Sequence, residues 1–144
     1  MSKYTKSNFE ELKAFLYDSY VHDANLEYVE YSCKDDRIKI ELYNPIFDVK
    51  IDLTFLDIVI TLSIKGDWPG NRATLISLSV EKNLSYLQKS LLKANEYMED
   101  ALYLLFQMLS GDEFHIVSKE VIVEITNLSE SSCPKQNQET QNLM

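Results

Sequence analysis

Along the first part of the chain, apolar positions fall at Phe9, Leu12, Phe15, Leu16 and Tyr20. That spacing of three and four predicts an amphipathic helix over residues 8–20. Ser7-Asn8-Phe9-Glu10 reads as its capping box, with the Ser7 hydroxyl accepting from a free backbone N–H and Glu10 reaching back. From Leu26 the period drops to two. Residues 26–32 predict a strand, Lys34-Asp35-Asp36 a turn, and residues 37–42 a second strand with Ile38, Ile40 and Leu42 on its buried face. Asn44-Pro45 ends that strand. Further strands are expected at 49–53 and, in a β-branched run, at 57–64. Trp68-Pro69-Gly70-Asn71 suits a turn, with proline fixing φ and glycine free to take a positive φ. Residues 75–81 then alternate Ile76, Leu78 and Val80 against Ser77, Ser79 and Glu81.

The second half is less uniform. Leu84, Leu87, Leu91, Ala94 and Met98 keep helical spacing and predict an inserted helix over 83–100. Residues 101–109 fit either a continuation of that helix or a buried strand. Ser110-Gly111-Asp112-Glu113 looks like a hairpin turn into residues 114–117 and favours the strand. A last strand is expected at 121–125. The apolar parity slips between Ile116 and Val121, which predicts a bulge or bend near residues 118–120. After residue 126 the chain turns to Ser, Gln, Asn and Glu with Pro134, and too few apolar side chains remain to offset the entropy of ordering. The expected organisation is one α+β domain over 1–126 followed by a flexible polar tail over 127–144. The domain would be an antiparallel sheet of about six or seven strands, with an N-terminal helix and one inserted helix. Strands without regular intervening helices argue against a doubly wound parallel sheet.

Size and charge narrow the function. A chain of 144 residues can bury a core without a disulfide or a metal. The formal net charge is −9. Such a surface repels nucleic acid and anionic membrane, so neither is an expected partner. The tail holds Glu130 and Glu139 against Lys135, so most of the charge belongs to the domain. No apolar run reaches signal-peptide length near the start or bilayer-spanning length anywhere, so the cytoplasm is the expected compartment. Cys33 and Cys133 lie a hundred residues apart, Cys133 in the tail, and read as reduced thiols. In that compartment the sequons at Asn83 and Asn127 are not glycosylated.

No catalytic set emerges. His22-Asp23 is the most suggestive pair, but metal hydrolases with such a dyad need more histidines, and the chain has only His22 and His115. His22 after a helix C-terminus and Asp23 in the following turn also serve structure alone. An enzyme or small-ligand site would need these two with a further acid such as Asp18 or Glu27 around a pocket. There is no nucleophile elbow, and the three glycines, Gly66, Gly70 and Gly111, do not form a phosphate loop. Cys33 has no local partner for thiol chemistry. The acid pairs Asp35-Asp36, Glu99-Asp100 and Asp112-Glu113 sit in expected turns and helix ends and read as solvated. No metal or other cofactor is implied.

Binding features are more informative. Trp68 stands in an expected turn near Arg72, and both residue types anchor interfaces, although Trp68 could instead fold back over the sheet edge. Tyr28, Tyr31 and Tyr43 could line one exposed sheet face. An acidic surface bearing aromatics suits a basic protein partner. Residues 15–26, with Val21-His22-Asp23-Ala24, and the later Ser110-Gly111-Asp112-Glu113-Phe114-His115-Ile116 and Lys119-Glu120-Val121 resemble a loose group of small bacterial domains. Those open with a helix and an H-D-A or H-D-S turn, and some are immunity proteins of polymorphic toxin systems. The resemblance implies an α+β fold and no catalytic residue, with His22 and Asp23 as a structural signature. The first expectation is therefore a binding protein that occludes a basic partner, as an immunity-like protein would. The alternatives are a small-ligand binder or enzyme at His22 and Asp23, and a homo-oligomeric subunit paired through a sheet edge or apolar face.

Overall fold

The computed structural model describes residues 1–18, 20–81 and 100–128. A short strand β1 (Ser2–Tyr4) leads through a 3-10 turn, Lys6–Asn8, into helix α1 (Phe9–Asp18). The strands β2 (Asn25–Ser32), β3 (Arg37–Asn44), β4 (Val49–Ile64), β5 (Leu75–Glu81), β6 (Leu102–Met108) and β7 (Glu113–Asn127) follow. They form one antiparallel sheet in the order β2-β3-β4-β7-β6-β5, and β1 pairs with the second half of β7. The fold is α+β. One α-helix is present among the described residues, and no inserted second one. The helix expected over 83–100 falls almost wholly on residues 82–99, which lie outside the described residues, as does most of the expected tail, residues 129–144. No helix among the described residues is long and apolar enough to cross a membrane.

The helix cap differs from the expected one. Thr5, not Ser7, is the N-cap of the 3-10 turn: its hydroxyl accepts from the Ser7 N–H at 3.3 Å, and Asn8 Oδ1 accepts from the Thr5 N–H at 2.7 Å. The reciprocal logic is that of a capping box, moved two residues upstream. Leu12 and Leu16 of α1 are buried in the main core.

The core lies on one face of the sheet. Ile38, Ile40 and Leu42 of β3 and Val49, Ile51, Leu53 and Phe55 of β4 fill it as the alternation predicts. Leu102, Leu104 and Phe106 of β6 join them, with Phe55 and Phe106 meeting edge to face at 6.1 Å. Ala101, Tyr103, Leu105 and Val117 form a second, smaller cluster on the opposite face, with Val59, Ile60 and Leu62 against it. Strand β6 is thus buried on both faces. Its run without alternation is the reason its sequence reads equally as helix or strand.

The two strands expected at 49–53 and 57–64 are one strand. Asp57 takes φ +56 and the pairing with β7 slips between Ile58 and Ile60, so a bulge stands where a break is expected. Opposite it lies residue 118, where the parity slip in β7 falls, and β7 too runs unbroken. Four non-glycine residues among those described have positive φ: Asp23, Asp36, Asp48 and Asp57. Aspartate tolerates that region better than most residues. Part of the acidic composition is therefore turn and bulge chemistry.

The sheet curls until its two edges touch at one corner. Asn25 bridges Thr74, the Leu26 N–H donates to the Ala73 carbonyl at 2.6 Å, and the Leu75 N–H donates to the Ala24 carbonyl at 2.9 Å. Past that corner β2 and the β6–β7 hairpin diverge and leave a seam.

Candidate functional site

A cleft of about 390 Å³ occupies the seam. Leu26 and Val29 of β2, Ile64 at the end of β4, and Met108 and Phe114 of the hairpin give it apolar walls. Lys65, Arg72, Asp112 and Glu113 supply its polar rim.

One wall is held by a junction between the β4–β5 loop, residues 65–74, and the β6–β7 turn. Asp112 Oδ1 accepts from the Gly66 N–H and from Arg72 Nη1, each at 2.6 Å. Arg72 Nη2 donates to the Gly66 carbonyl at 3.2 Å. The Gly66 N–H holds the Asp112 carboxyl below the usual carboxylate range, and Arg72 adds to this against the opposing effect of burial. All three glycines of the chain meet here. A Cβ on Gly66 would stand 2.2 Å from the Gly111 carbonyl carbon, and one on Gly70 would stand 2.3 Å from the Leu109 carbonyl oxygen. Gly111 has φ +86 and faces the Trp68 ring. These glycines permit close backbone approach, a use their sparse distribution in sequence does not reveal.

Trp68 is anchored by its backbone, which donates to the Ser110 carbonyl at 2.9 Å, while its side chain stays 60% exposed beside Gly111. It flanks the hairpin turn without being buried by it. Arg72 is near it in sequence as expected, but its guanidinium is engaged by Asp112 and Gly66. The expectation that Asp112 and Glu113 are merely solvated turn acids is corrected. Asp112 anchors the loop, and Glu113 Oε1 lies 3.0 Å from His115 Nε2. His115 Nδ1 in turn lies 2.6 Å from the Tyr103 hydroxyl. With Glu113 ionised, both contacts are satisfied when Nε2 carries the proton and Nδ1 accepts from the phenol. His115 and Tyr103 are buried, and this carboxylate–imidazole–phenol chain ties β6 to β7.

The tyrosines divide between faces. Tyr28 lies opposite Glu41 and Tyr43 opposite Asn25, on the outer face. Tyr31 lies opposite the buried Ile38, on the core side. The single aromatic face expected of all three does not form. The Tyr28 hydroxyl donates to Glu30 at 3.1 Å, and that bond and charge raise its pKa. Tyr43 is held by Asp48 at 2.7 Å.

His22 Nδ1 lies 3.0 Å from Asp23 Oδ2, with both side chains exposed. Asp23 has φ +68 and donates its N–H to the Leu75 carbonyl, so its place in a tight turn is structural. Neither residue lines the seam cleft. Glu27 is exposed on β2, and the side chain of Asp18 lies outside those described. Cys33 is exposed and free, and Cys133 lies outside the described residues. No group of three or more metal-ligating side chains occurs among the described residues.

Comparison of the chain with protein-family models, with curated proteins and with solved structures finds no match.

Proposed function

We propose that this chain is a binding protein that recognises a basic protein partner through the face around the seam, in the manner of an immunity-like protein that acts by occlusion. One observation carries the reading. Trp68 (60% exposed) flanks the turn at one wall of the partly apolar cleft, and Tyr31 (56%) shares the core-side face of β2 with Val29 of the other wall. Tyr28 (48%) and Glu30 stand exposed on the outer face of the same edge strand, which also carries the exposed Glu27. Exposed aromatics supply contact area and exposed carboxylates supply attraction, the two ingredients of an electrostatically steered interface. The net charge of −9 acts in the same direction. A toxin as the partner and the cytoplasm as the compartment are part of the same proposal, supported by the sequence resemblance to immunity proteins.

The test uses the full chain immobilised beside a Trp68→Ala/Glu27→Lys/Glu30→Lys chain. Extract of the source organism is applied at moderate and at high salt. The expected result is one basic protein retained in stoichiometric amount by the native chain, released by salt and not held by the variant. Equal retention by both chains, or no stoichiometric protein, overturns the reading. Nothing in the geometry favours chemistry at His22 and Asp23, which lie on an exposed turn away from the cleft.

A further inference from the structure

The seam has the form of a missing strand. Beyond Leu26, whose N–H is taken by Ala73, no strand pairs with the second edge of β2 among the described residues. Val29 and Tyr31 lie opposite Ile40 and Ile38, so they face the core side of the sheet. Yet they are 44% and 56% exposed, while their β3 partners are buried. Among the described residues nothing covers the core face of β2, and the cleft opens beside it. We propose that an extended segment of the basic protein partner adds to the free edge of β2 as a further strand and places an apolar side chain in the seam cleft. This rests on the binding reading above and names its mode.

Charge selects the occupant. Strand β2 carries Glu27 and Glu30 and no basic residue. Glu30 lies opposite Lys39 of β3 across the ladder, whereas Glu27, at the bulge, has no residue of β3 opposite it, and neither carboxylate forms a direct ion pair among the described residues. Lys50 sits between Glu41 and Asp52, Lys3 pairs with Glu120, and Lys119 pairs with Asp100. A second copy of this chain pairing β2 against β2 would bring like charges together across the ladder, which is destabilising. A segment alternating Lys or Arg with apolar residues sets its cations on the outer face with Glu30 and its apolar side chains on the inner face with Val29. The bulge at Glu27 and the two glutamates also discourage indiscriminate edge pairing, so a partner that matches them is selected.

The probe is a capped octapeptide alternating lysine and valine, with one central valine replaced by phenylalanine. Backbone amide exchange is followed by NMR on the full chain. Two control peptides are used: one N-methylated on the amides of one edge, and one with glutamate for lysine. The expected result is slowed exchange confined to β2, with affinity lowered about tenfold by N-methylation and by Glu27→Lys/Glu30→Lys. A lysine peptide that binds without protecting β2, or that binds equally well when N-methylated, overturns strand addition and leaves the basic-partner reading standing. No effect of any peptide at millimolar concentration also overturns strand addition, while the capture experiment decides the wider reading separately. Light scattering that shows a dimer of the native chain, abolished by Glu27→Lys/Glu30→Lys, assigns the edge to a second copy and overturns the proposal.

Discussion

The two edges of the sheet are built in opposite ways. On β5, no residue is exposed: Leu75 is fully buried, the 20–25 turn bonds to its backbone, and α1 packs across the strand. On β2, residues 27–31 are all exposed, and its protection is a bulge and two glutamates. Closing an edge by packing gives stability, whereas guarding it by charge leaves the backbone available. One edge of the sheet thus serves the fold, and the other keeps the exposed backbone that the proposed strand addition would use.

Three measurements sharpen that contrast. The largest effect is expected from truncation of matched apolar residues on the two strands. Leu75→Ala should cost about 3 kcal/mol in urea unfolding because it empties a buried site, whereas Val29→Ala should cost under about 1 kcal/mol. Comparable losses would show that β2 supports the fold as strongly as β5 does. A smaller effect is expected at the junction that secures the β5 side. The folded-state pKa of Asp112 is lowered, so its contribution to stability is present above the ordinary carboxylate pKa and is lost as pH falls through the depressed one. Between about pH 5 and pH 3 the urea midpoint of the native chain should therefore fall further than that of Asp112→Asn. Parallel pH profiles would remove Asp112 from the account of that junction. The smallest effect is expected from Glu27→Lys/Glu30→Lys, whose stability should stay within about 0.5 kcal/mol of native. A large loss would mean that these side chains serve the fold.

Much of the sheet is legible in the sequence because its strands are one-sided. In β3, Ile38, Ile40 and Leu42 alternate with Arg37, Lys39 and Glu41, and each lands on the face its parity predicts. Legibility fails where burial is two-sided, as in β6, and where a strand bends without stopping, as at Asp57 in β4. Strand β1 is too short to leave a periodic signal and exists only because β7 offers it a neighbour. At the site, Trp68 and the tyrosines of β2 stand out by residue type, but whether Trp68 is exposed and which face each tyrosine takes depend on the hairpin turn and the bulge at Glu27. Asp112 and Gly66 are not, because their relation spans many residues and each has an ordinary local reading as a turn residue.

By itself the sequence determined the α+β class, the antiparallel strand pattern, the acidic surface and the absence of a recognisable catalytic motif. Those follow from periodicity, turn residues and charge counts, which act locally or add up over the chain. Only the tertiary structure decided that the sheet curls until Asn25 meets Thr74, and that a seam remains beyond that corner. It also decided that all three glycines and Asp112 lock one wall of the seam. These are contacts between residues far apart in the chain, set by sheet twist and backbone approach, and no local pattern encodes them.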